Sequence, residues 1–150
     1  MSSSGGEGIP EASEILADLW RMVYAVMDDS EADLEALGLS AKALFLLDAV
    51  EDHPFPAALA RRMHLPPPTV TYLVKQLEER GFLERRGEPG DLRKFRLVPT
   101  ASGIEALDRG RGAFGRPFSE RLRRLDREDL VALKRIVKQL AGHGDGDDRR

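Results

Sequence analysis

Two short stretches concentrate the side chains that could act on a ligand. Pro68, Thr69, Thr71, Tyr72, Lys75 and Gln76 bring hydroxyls, a phenol, an ammonium and an amide into nine residues. These groups hydrogen-bond base edges and phosphate oxygens. Arg86, Arg93, Lys94 and Arg96 follow as a cationic set suited to attracting a polyanion. The means for catalysis are poorer. The chain has no cysteine, which removes disulfides, thiolate metal sites and cysteine nucleophiles together. His53, His64 and His143 lack the spacing of a metal cluster. The acidic pairs Asp28-Asp29 and Glu51-Asp52 fall at expected helix ends and turns with no nucleophile beside them. No P-loop, dinucleotide glycine pattern or G-x-S-x-G occurs. No enzyme, metal or other cofactor is expected.

The chain has 150 residues, 41% of them hydrophobic and 33% charged, which fits one folded domain with helical extensions. Its longest apolar run falls short of the roughly 20 residues needed to span a bilayer, so no membrane partner is expected. No basic-then-apolar leader opens the sequence, and the expected compartment is the cytoplasm. The net charge of −3 is unevenly spread. Residues 1–58 hold 2 Lys and Arg against 12 Asp and Glu, residues 59–100 hold 9 against 5, and residues 101–150 hold 12 against 9. Screening over about 8–10 Å lets the basic middle third present a positive face despite the acidic first third.

The elements that must position these residues follow from periodicity. Ile15, Leu16, Leu19, Val23, Val26 and Met27 recur at helical spacing, with Trp20 and Tyr24 on the flank. Ser30 and Asp33 predict the start of a separate short helix carrying Leu34 and Leu37, stopped by Gly38. Leu39, Ser40 and Leu44 have the pattern of a hydrophobic staple around an N-cap, and Leu44, Leu47 and Val50 form an inner stripe. A short helix over Ala57–Met63 ends at His64-Leu65-Pro66. The next spans Thr69–Arg80, with Val70, Leu73, Val74 and Leu77 on one face and Gly81 as its cap. Phe82–Arg86 and Lys94–Val98 read as a hairpin around Gly87-Glu88-Pro89-Gly90-Asp91, where Asp91 is placed to hold Arg93 in a local ion pair.

Thr100 caps a helix bearing Ile104 and Leu107, and Gly110, Gly112, Gly115 and Pro117 predict a kink or break in it. Asp126 and Asp129 cap a last helix whose Leu130, Leu133, Val137 and Leu140 approximate a heptad seam. The fold class is therefore mainly α with a small β-hairpin: a winged helix-turn-helix domain with apolar terminal helices. Residues 1–10 and 142–150 are expected to be disordered tails. Residues 11–38 form an N-terminal helical region, 39–100 the winged domain and 101–141 the C-terminal helices.

Leu59–Arg86, LARRMHLPPPTVTYLVKQLEERGFLERR, together with D-L-R at Asp91–Arg93 and T-A-S-G at Thr100–Gly103, resembles the MarR family of transcription regulators over nearly the whole folded length. The resemblance implies a homodimer built from the first, fifth and sixth helices, binding a pseudo-palindromic operator on double-stranded DNA as a repressor. By the same likeness Pro68, Thr69, Thr71 and Tyr72 fall on DNA-contacting positions, and Arg93 on the wing-tip arginine that enters the minor groove. Pro66 stands where the family often has a capping Ser, and Tyr72 where an Arg is frequent. Trp20, Tyr24 and Met27 fall where the likeness puts a cleft, and are candidates for binding a small aromatic effector as well as for interface core. The alternative expectation is a winged-helix module that binds protein rather than duplex DNA.

Overall fold

No glycine or proline interrupts residues 12–36, and the first helix, α1, runs unbroken over Ala12–Ala36 in the computed structural model, which describes Ile9 and residues 11–142. The remaining residues of the two expected tails, His143 included, lie outside the described residues. The separate helix expected from Ser30 is not formed. Ser30 is buried inside α1, and its hydroxyl donates to the Val26 carbonyl at 2.6 Å. A serine can cap only where the chain has already left the helix, and no residue here forces it out. Gly38 does supply the stop. At φ 76° its N–H reaches the Glu35 carbonyl while the Leu39 N–H reaches Leu34, the paired bonds of a Schellman end.

Ser40 then caps α2, Ala41–Ala49, by accepting the Ala43 N–H at 3.1 Å. Helix α3 is Pro56–Met63, and His64 ends it in the left-handed region at φ 52°. Helix α4, Pro67–Glu79, begins two residues earlier than its apolar periodicity suggested, because proline is tolerated in the first turn. Strands β1, Leu83–Glu88, and β2, Asp91–Pro99, pair antiparallel with Leu83 opposite Pro99 and Glu88 opposite Asp91. The expected five-residue turn is thus only Pro89-Gly90, with Gly90 at φ 90°.

Helix α5, Ala101–Leu122, shows no break at its glycines or at Pro117. Gly110 is buried, and a Cβ there would lie 2.5 Å from a methyl of Leu44. Its small size serves close packing of α5 on α2, not flexibility. Helix α6, Arg127–Leu140, is capped by Asp126, which accepts the Asp129 N–H at 2.8 Å.

The chain divides into two compact units, Met1–Gly115 and Arg116–Arg150. In the first, Leu34, Leu44, Leu46, Leu47, Val50, Leu59, Val70, Leu73, Val74, Leu77, Leu83 and Leu97 form one core, with α4 seated on α2 and α3. In the second, α6 buries no residue, and Val131 and Leu140 are 64% and 75% exposed.

One junction ties α4, the hairpin and α5 together. Thr100 donates from its N–H to the Phe82 carbonyl at 3.0 Å and from its hydroxyl to the Gly81 carbonyl at 2.5 Å, and Ser102 reaches the same Gly81 oxygen at 2.9 Å. A Cβ on Gly103 would stand 2.1 Å from the Phe82 carbonyl oxygen, so only glycine lets α5 approach this closely. Gly103→Ala is expected to lower the unfolding free energy by about 1–3 kcal/mol in a denaturant titration. Gly112→Ala, with open space around it, should raise it by about 0.5–1 kcal/mol. The reverse order would contradict this packing.

Candidate nucleic-acid interface

The rotation of α4 about its axis is fixed by its buried face. Val70, Leu73, Val74 and Leu77 are all inside, which turns Thr71, Tyr72 and Lys75 outward and leaves Thr69 and Gln76 half-buried at the edges. Of the predicted site residues, Pro68, Thr69, Thr71, Tyr72, Lys75 and Gln76 therefore share one accessible helix side. The Thr71 hydroxyl donates to the Pro67 carbonyl at 3.0 Å, leaving its methyl and an acceptor lone pair outward. The Gln76 amide nitrogen donates to the Tyr72 oxygen at 2.9 Å, so the phenol proton stays available. Lys75 lies 3.9 Å from Glu79, an exposed pair that water and salt screen.

At the start of α4, Pro66, Pro67 and Pro68 are all exposed and carry no N–H. The next two N–H groups, of Thr69 and Val70, both point to the Pro66 carbonyl, at 3.0 and 3.2 Å. The first turn thus has no free backbone donor of the kind that usually holds an anion at a helix start.

Strand register sorts the hairpin cations onto two faces. Arg86 stands opposite Arg96, with Lys94 two residues further along the same face. Like charges placed so closely repel, and each arginine has a carboxylate beside it. Arg86 Nε donates to Glu84 at 2.7 Å, and Arg96 lies 3.9 Å from Glu88. Arg93 and Lys94, near the tip, make no ion pair among the described residues. The expected Asp91–Arg93 ion pair is replaced by a local turn bond, in which the Asp91 carboxylate accepts the Arg93 backbone N–H at 2.9 Å. That bond braces the tip and leaves the guanidinium of Arg93 exposed.

Arg85 lies on the opposite, inward face. It makes two bonds to Glu78 of α4, at 2.5 and 3.2 Å, and its guanidinium sits 4.6 Å from the Phe95 ring centre. Donation to the Glu78 carboxylate, with its negative charge, raises the Arg85 pKa above the ordinary guanidinium value. The sequence did not single out this Glu78–Arg85–Phe95 clasp, although period-two spacing puts Arg85 on the side of Leu83.

Tyr24 and Met27 meet in an open groove of about 560 Å³ between α1 and α2, with Leu34 and Leu39 also in its wall and Asp28 and Glu31 at its edge. Trp20 is outside the lining, 61% exposed, and its ring centre is 4.9 Å from that of Tyr24. Among the described residues, no group of three or more His, Asp or Glu side chains could hold a metal ion, and no helix is long and apolar enough to cross a membrane.

Comparisons with known proteins agree with this arrangement. The family model described as MarR family matches residues 37–94, from the end of α1 to the hairpin tip. A Thauera aromatica protein, whose name assigns it to regulation of the hcr operon, is 37% identical over 87 residues, covering 55% of this chain and 52% of that protein. The chain spans about half the length of the curated relatives it matches. A MarR-family regulator from Rhodococcus sp. RHA1 superposes with a TM-score of 0.76 at 18% identity, covering 91% of this chain and 99% of that one. CouR from Rhodococcus jostii RHA1, solved with p-coumaroyl-CoA bound, superposes with a TM-score of 0.75 at 19% identity, covering 93% and 100%. The six helices and two-stranded wing of the described residues are those of a winged helix-turn-helix fold. With its helix pair, its D-L-R wing and the family model all falling on residues 37–94, this segment belongs to the MarR family.

Proposed function

We propose that the chain is a sequence-specific DNA-binding transcription regulator that acts as a homodimer on a pseudo-palindromic operator, most simply as a repressor. The observation that carries this reading is the shared exposure of the polar side of α4 and of Arg93 and Lys94 at the hairpin tip, cations with no ion pair among the described residues. A helix of this size fits a major groove about 12 Å wide, and a hairpin beside it reaches the neighbouring minor groove. The pairs at Arg86 and Arg96 are exposed and weak, so a phosphate can displace either carboxylate. A regulator of this kind works by binding and has no need of a catalytic group.

A dimer is supported by apolar side chains left in contact with water. Leu16, Leu19, Trp20 and Val23 are exposed on α1, and Leu130, Val131, Ile136 and Val137 on α6. Patches of this kind usually mark a protein interface. Two copies would set their α4 helices toward half-sites about 34–36 Å apart. The groove holding Tyr24 and Met27 supports binding of a small aromatic effector, with Trp20 beside it. Such a ligand would act by changing the separation of the two α4 helices, and would need different affinities for the two arrangements.

The reading is tested by duplex binding measured across salt concentrations. Affinity should fall steeply as salt rises, and Arg93→Ala and Lys94→Ala should each weaken binding to all sequences and reduce the salt slope by about one. Arg85→Ala should instead lower folding stability by about 1 kcal/mol, through loss of the Glu78 and Phe95 contacts, and leave the salt slope intact. Absence of duplex affinity even at low salt would favour a protein-binding winged helix. Sedimentation of the full chain should give a dimer, and Leu19→Asp should shift it toward monomer. A wild-type monomer would remove the dimer from the proposal.

A further inference from the structure

The start of α4 is chemically unusual for a helix that meets a polyanion. Three prolines occupy the N-cap and the first two helical positions, and all three are exposed. Their missing N–H groups, and the use of the Thr69 and Val70 N–H groups by the Pro66 carbonyl, leave no backbone donor for a phosphate. The exposed side chains of the first two turns are poor in donors and carry no charge. The Thr71 hydroxyl proton is committed to Pro67 and Thr69 is half-buried, so the outward surface is mainly the Thr71 methyl, three pyrrolidine rings and the Tyr72 ring, which is 60% exposed and keeps its phenol proton available. No arginine lies between Pro66 and Glu79, so the bidentate reading of guanine by a guanidinium is not available from this surface.

In the major groove the apolar feature that distinguishes base pairs is the thymine methyl. We infer that the triple proline makes thymine methyl groups, and hence A·T pairs, the feature that the first turn of α4 reads, in place of phosphate and guanine contacts. This rests on the duplex-binding reading above and gives it a base preference. Gln76 extends the same preference one turn on. Its amide has one proton and its oxygen free after bonding Tyr72, the donor and acceptor that match adenine N7 and N6. Phosphate attraction is then left to the hairpin, where Arg93 and Lys94 are unpaired among the described residues.

The test selects duplexes from a random library with the full chain at low salt, then replaces single thymines in a selected site by uracil, which removes only the methyl. Half-sites rich in A·T are expected, with affinity falling about fourfold per methyl at one or two steps in each half-site. In the Pro67→Ser/Pro68→Ser variant the uracil and thymine duplexes should bind almost equally at those steps. Its unfolding midpoint checks that the fold is kept, and the uracil comparison on the wild-type chain stands without it. Half-sites dominated by G·C pairs, or equal affinity for thymine and uracil at every step, would overturn the inference while salt-sensitive binding upheld the broader reading. If no duplex were retained at all, both would fall.

Discussion

The geometry of the whole surface depends on the contact between the α4–β1 corner and the first turn of α5. Two carbonyls, of Gly81 and Phe82, receive three hydrogen bonds from Thr100 and Ser102, and Gly103 lets the helix backbone come against them. A two-stranded hairpin has little stability of its own. Here its two ends are fixed at the point where α4 stops, while the Leu97 N–H bonds to the Pro54 carbonyl ahead of α3 at 2.8 Å. Further out, Glu78 and Phe95 hold Arg85 between helix and strand. The wing therefore has a set direction relative to α4.

Charge is divided between these elements in an uncommon way. The helix carries one outward cation near its middle, Lys75, already beside Glu79, whereas the hairpin exposes Arg86, Arg93, Lys94 and Arg96, of which Arg86 and Arg96 have local carboxylates. Phosphate attraction acts over a Debye length of about 8–10 Å and needs no exact geometry, so a hairpin can supply it. Base discrimination needs fixed side chains at short range, and the outward side of α4, held in place by the buried face behind it, is suited to present them. The strongly acidic first third of the chain stays compatible with this division because its repulsion is screened beyond that distance.

Much of this architecture was legible in the residues. Ser40, Asp126, Gly38 and Gly81 announced their helix ends through capping chemistry, and alternation along β2 separated Lys94 and Arg96 from Leu97 correctly. The failures have physical causes. Ser30 matched a capping pattern, but burial beside Val26 made its hydroxyl bond backward within α1. The glycines near Gly110 suggested a break because glycine is a poor helix former, whereas the space left by Leu44 required a residue without a side chain. For the candidate site, the residue types were visible and their partners were not. Asp91 and Arg93 are two residues apart, yet the carboxylate satisfies a backbone N–H before a guanidinium. The contact of Arg85 with Glu78 joins residues seven apart on different elements, which no local pattern encodes.

The most direct test of the central claim, that α4 and the hairpin tip form one duplex-binding face, is amide chemical-shift mapping of the full chain titrated with a duplex of operator length. The account predicts perturbations concentrated at Thr69–Gln76 and at Arg93 and Lys94, growing together along a single binding curve. Perturbations confined to α1 or α6, or changes on α4 that leave the hairpin tip unmoved, would contradict it.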